Sequence, residues 1–122
     1  MMQDIAIAQE IAQTLYKNKA NHILALDVRE LTVITDYMVI ASGRSASQVK
    51  ALADDVDERM AELGLNLRRS EGANEGRWII LDYDHIMVHI FHPEERQFYN
   101  LERLWEDGNN RLVLPFDQTV AD

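Results

Sequence analysis

The chain has 122 residues, 47% of them hydrophobic, with 12 Lys and Arg against 21 Asp and Glu for a net charge of −9. That length fits one domain, and no apolar run reaches the ~20 residues of a membrane span. The acidic excess opposes docking on nucleic-acid phosphates, and with no cysteine there is no disulfide, thiolate ligand or thiol nucleophile. A reducing cytoplasm suits such a chain, and Met1-Met2-Gln3-Asp4, with an acid and no arginine, does not resemble a secretory or organellar leader.

Ile5, Ala8, Ile11, Ala12, Leu15 and Tyr16 recur at helical spacing, which predicts a helix over 4–18 with Asp4 capping its start. Ile23 to Asp27 reads as a short strand, and Thr32 to Ile34 as a second brief strand or strand-like arm. Tyr37 to Ala41 is apolar throughout, as a strand covered on both faces would be. Ser42-Gly43-Arg44-Ser45 opens a second helix whose stripe is Val49, Leu52, Ala53, Val56, Met60 and Leu63, with Gly64 placed as a left-handed cap. Asp54, Asp55, Asp57 and Glu58 read as its solvated face. Leu65 to Arg68 predicts a strand, followed by a polar loop over 70–76.

Trp78 to Asp82 and Ile86 to Phe91 form a hairpin by spacing, turning at Tyr83-Asp84-His85. Pro93 opens a third helix, with Glu94 and Glu95 at its positive end. It runs to about Asn100, and 101–105 either continues it or makes a further turn. After Glu106 the chain turns polar, ending in an extended tail with Leu112 to Phe116. This order predicts an α/β protein with a mixed sheet and helices packed on its faces.

Candidate chemistry is thin. His85, His89 and His92, near Asp82, Asp84, Glu94 and Glu95, suggest a metal, but alternation sets His89 with Met87 and Phe91 and turns His92 away. The Ser42-Gly43-Arg44-Ser45 turn and the Asp82-x-Asp84 pair sketch a nucleotidyltransferase acting on a nucleotide with Mg²⁺. Asp84 falls in the turn, however, no third acid follows, and basic groups for a triphosphate are scarce. No Gly-x-Ser-x-Gly elbow is present. Neither a cofactor nor a catalytic set is expected. Acidity with crowded aromatics fits a basic protein partner, and ribosomal proteins are an abundant class of that kind. The aromatics would serve a homodimer contact equally well.

Several blocks resemble the ribosomal silencing factor (RsfS, or Iojap-like) family. They are Ala25-Leu26-Asp27-Val28, Thr35 to Ser45, Glu71-Gly72, Gly76 to Tyr83, Val88 to Phe91, Pro93 to Arg96 and Phe98 to Trp105. The resemblance covers nearly all of 4–105 and leaves 106–122 as a C-terminal tail. Where the family usually has Gly-Asp in the hairpin, this chain has Asp84-His85, and Asp tolerates the positive φ such a turn needs. The resemblance implies an α/β/α sandwich on a nucleotidyltransferase-like scaffold without a complete catalytic site. It further implies binding to the large ribosomal subunit through its fourteenth ribosomal protein, blockade of subunit joining, and repression of translation when nutrients are scarce. In that light Trp78 is expected as the anchor of the partner surface. Ile80 shares its face, Asp82 and Glu71 supply charge, and Tyr83 makes a rim contact. Glu94 and Glu95 are either partner contacts or helix-terminus acids, while Phe98 and Trp105 are expected in the core.

Overall fold

A computed structural model describes residues 3–116; Met1-Met2 and the end of the expected 106–122 tail lie outside them. The elements are α1 (Asp4–Lys17), β1 (Asn21–Asp27), β2 (Tyr37–Ser42), α2 (Ala46–Glu62), β3 (Arg69–Glu71), β4 (Trp78–Asp82), β5 (Ile86–Phe91), α3 (Pro93–Tyr99) and α4 (Glu102–Trp105). The five strands make one mixed sheet in the order β1-β2-β5-β4-β3. Only β2 and β5 run parallel.

Strand alternation sorts the side chains into two cores. Ile7, Ile11 and Leu15 of α1 and Val49, Leu52, Val56 and Met60 of α2 meet Ala25, Val39, Ile79, Leu81, Val88 and Ile90 on one face. The opposite face buries Leu24, Leu26, Met38, Ile40 and Phe91 under Leu101, with Trp78 and Trp105 packed at the margin. The result is the expected α/β/α sandwich, but its third layer is small. The short helices α3 and α4 leave the β4–β3 side of this face uncovered. β2 is buried along its whole length, as its unbroken apolar run requires.

Three local expectations need correction. Asp4 is not the cap of α1; Gln3 holds that position without a side-chain hydrogen bond, and Asp4 sits in the first turn, where a negative charge is still favourable. Residues 32–34 form no strand, and Val33 and Ile34 project from a loop. Leu65 to Arg68 is not a strand either. The Leu65 N–H closes the end of α2 on the Met60 carbonyl (2.8 Å), and Leu65 and Leu67 pack on the first core, so contact with β4 begins only where the Arg68 N–H donates to the Asp82 carbonyl (2.8 Å). The segment after Glu106 is extended but docked. The Leu112 N–H donates to the Ala25 carbonyl (2.8 Å), and Leu114 enters the first core. It thereby covers the outer edge of β1.

Candidate functional site

The β4–β5 hairpin builds the site. Asp84 adopts φ 78° at the turn, and its N–H donates to Oδ1 of Asp82 (2.8 Å), so the Asp84-His85 variant keeps a tight connection. Alternation from that turn sends Ile79, Leu81 and Tyr83 into the first core and Trp78, Ile80 and Asp82 to the other face.

Trp78 is half-buried at the seam between covered and open surface. Its ring stacks on Phe91 (centroids 4.9 Å) and meets Tyr99 (4.8 Å). Its indole N–H donates to Nδ1 of His89 at 3.1 Å. Accepting that proton requires a lone pair on Nδ1, so the neutral imidazole carries its own hydrogen on Nε2. Nε2 is buried without a partner, an arrangement that ordinarily costs about 1–3 kcal/mol. Burial pushes the His89 pKa down to about 4, so the ring is neutral at physiological pH.

Beside Trp78 the open sheet face continues as a shallow depression of about 80 Å³ lined by Arg69, Glu71, Ile80, Asp82 and Met87. Glu71 is exposed on the edge strand opposite Ile80, with no ion pair among the described residues. Asp82 lies 3.5 Å from Arg69 Nε. Glu94 and Glu95 both grip Arg77, each at 2.7 Å, and the Arg77 guanidinium holds the Glu95 carboxyl below its usual range. These two acids therefore staple α3 to the start of β4. Most of the charge expected on this surface is internally paired, which makes the patch mixed and not uniformly negative.

Two aromatic expectations are overturned. Tyr83 is no rim contact: its ring is buried on the opposite face, and its hydroxyl donates to Asp57 of α2 at 2.7 Å. That bond also removes Asp57 from the solvated acidic face. Phe98 is not in the core but 79% exposed, and Leu104 is 71% exposed, whereas Trp105 is half-buried. The physical reason is Asn100, whose left-handed conformation (φ 50°) ends α3, so helical spacing does not carry from Phe98 to Trp105. Phe98 meets Tyr99 edge-on at 5.0 Å, and a ridge of rings runs from Phe91 through Trp78 and Tyr99 out to solvent.

The two halves of a nucleotidyltransferase site are not brought together. Ser42 pairs with Phe91 and Asp82 with Met87, which puts them at opposite ends of β5, roughly 13 Å apart along the strand at ~3.3 Å per residue, and on opposite sides of it. The turn also satisfies itself: Gln48 Oε1 accepts the Arg44 N–H (2.6 Å), and Ser45 Oγ accepts the Gln48 N–H (3.1 Å). The histidines are likewise dispersed. His85 joins Asp4 and Asp36 beyond the hairpin turn, His89 lies mid-sheet, and His92 adjoins Glu94 and Glu95, which Arg77 occupies.

The family described as "Ribosomal silencing factor during starvation" matches residues 2–121. Ribosomal silencing factor RsfS of Bacillus subtilis (strain 168) is 37% identical over 107 residues, 88% of this chain and 91% of that protein. Protein Iojap, chloroplastic, of Zea mays is 30% identical over 93% of this chain and 49% of its own length. A crystal structure of a Chromobacterium violaceum protein superposes with a TM-score of 0.83 at 31% identity, covering 97% of each chain. The chain belongs to the ribosomal silencing factor family.

Proposed function

We propose that this protein binds the large ribosomal subunit through its fourteenth ribosomal protein, on the face that meets the small subunit. Sitting there, it blocks subunit joining and lowers translation when nutrients are scarce, with no reaction of its own. Its family, whose members are named ribosomal silencing factors, supports the class of function. The observation in this molecule that carries the proposal is the open stretch of the second sheet face. Trp78 stands at its margin and Ile80 and Met87 at its centre, with Glu71 and Asp82 beside them. An aromatic anchor next to apolar surface with a polar rim is the usual composition of a protein interface.

On this reading Trp78 is the anchor, Ile80 extends the apolar contact, and Glu71 and Asp82 meet basic groups of the partner. Glu94 and Glu95 contribute indirectly by holding Arg77. The net charge of −9 repels surrounding ribosomal RNA and so favours docking by the protein-facing side. Co-sedimentation with separated ribosomal subunits across a salt series tests the proposal. The expected result is pelleting with large and not small subunits, weakened but not abolished by salt. No pelleting with large subunits at any ionic strength would refute it.

A further inference from the structure

Why β5 carries a histidine at position 89 is not explained by packing. His89 lies between Ile40 and Ile80 in register, with Val88 and Ile90 as chain neighbours, and it is 5% exposed. An aliphatic side chain there would leave no orphaned nitrogen, whereas the imidazole leaves Nε2 unpartnered. The hydrogen bond His89 makes among the described residues is with the indole of Trp78.

We propose that His89 is a positioning residue for partner binding: its imidazole, by accepting the indole N–H, sets the orientation in which Trp78 meets the ribosomal partner. This rests on the surface assigned under the proposed function. Stacking alone cannot supply the same restraint. The contacts with Phe91 and Tyr99 are ring-to-ring packing without a directional atom pair, whereas the hydrogen bond to Nδ1 of His89 fixes where the indole nitrogen points. The bond also consumes the indole donor, so Trp78 presents carbon surface outward and leaves no polar atom of its own for the partner to satisfy.

Three variants separate orientation from packing. His89→Leu keeps the volume without the acceptor, His89→Gln restores an acceptor oxygen, and Trp78→Phe keeps stacking without the donor. In ¹H–¹⁵N spectra of the free protein, the Trp78 indole N–H resonance should shift and lose its exchange protection in His89→Leu and recover in part in His89→Gln. Large-subunit affinity should fall about tenfold in His89→Leu, the size expected of one lost orienting hydrogen bond, and recover in His89→Gln. Added to Trp78→Phe, His89→Leu should then cost nothing further.

An unchanged indole resonance in His89→Leu, or an equal affinity loss with and without the Trp78 donor, would overturn the positioning role. If instead Trp78→Ala binds large subunits as tightly as the wild type, the docking surface itself is wrong and the positioning role fails with it. The expected change of the Trp78 indole resonance in His89→Leu would then show that the bond exists but serves only the fold.

Discussion

The phenolic hydroxyl of Tyr83 lies 2.7 Å from Oδ1 of Asp57, joining the hairpin turn to the middle of α2 across the first core. A hydrogen bond to a carboxylate in partly buried surroundings contributes about 1.5–3 kcal/mol. Tyr83→Phe should therefore lower unfolding free energy by about 1.5 kcal/mol or more, read as a reduced urea midpoint at constant m. Because the ring faces away from Trp78, large-subunit affinity should be unchanged. A loss of affinity without loss of stability would return Tyr83 to the partner surface.

Gly72 and Gly64 both have positive φ, but only one is crowded. A Cβ at Gly72 would stand 1.9 Å from the Trp78 carbonyl oxygen, whereas at Gly64 it would meet nothing within 4 Å. Gly64→Ala should cost about 1 kcal/mol, from backbone conformation alone. Gly72→Ala adds a clash with β4 and should cost well above that, roughly 3 kcal/mol, while loosening the β3 edge. Thermal unfolding of the pair checks the ordering, and equal midpoints would contradict it.

His89 and His85 make opposite contributions to stability against pH. Burial lowers the folded pKa of His89 from 6.5 to about 4, so the unfolded chain takes up this proton first. Its contribution is complete above pH 6.5 and declines as pH falls towards 4, by on the order of 3 kcal/mol in all. His85 is raised, chiefly by its hydrogen bond to Asp36 and then by the charge of Asp4. Its smaller contribution is complete below about pH 6.5 and is lost as pH rises through the folded pKa. Exposure and solvent screening keep that second effect slight. Denaturation between pH 4 and 8 should show the acid-side slope shrink in His89→Gln, with the alkaline-side change confined to His85→Gln.

Phe98 projects into solvent beyond Tyr99 and has little to lose on truncation. Phe98→Ala should leave stability within about 0.5 kcal/mol. A drop in large-subunit affinity in the same variant would extend the docking surface along the ring ridge past Trp78. A large loss of stability would instead mean that the ring is packed.

Period-2 patterning made the central part of the fold legible. Parity along Trp78 to Asp82 separates the two faces correctly, and the apolar run of β2 announces a strand covered on both sides. Misreadings fall where one local feature redirects the chain. Leu65 and Leu67 alternate like a strand, but the Leu65 N–H closes α2 and Leu67 packs on the first core, and a left-handed Asn100 ends the helical spacing that would bury Phe98. The grouping of Trp78, Ile80 and Asp82 on one sheet face was legible, but the pairing of the nearby charges was not, because Arg77 taking both Glu94 and Glu95, and Arg69 lying near Asp82, depend on tertiary approach. The His89–Trp78 bond was hidden for the same reason. The two residues are 11 apart in sequence and meet only because the hairpin sets Trp78 opposite Phe91 and His89 opposite Ile80, on one face.

The most direct measurement is reassociation of purified ribosomal subunits, followed by light scattering with increasing protein. The wild type should suppress formation of joined ribosomes in a saturable way. Trp78→Ala, shown to be folded by circular dichroism, should need roughly 30-fold more protein, matching a hot-spot loss of about 2 kcal/mol. Subunits that join normally at saturating wild-type protein would contradict the account.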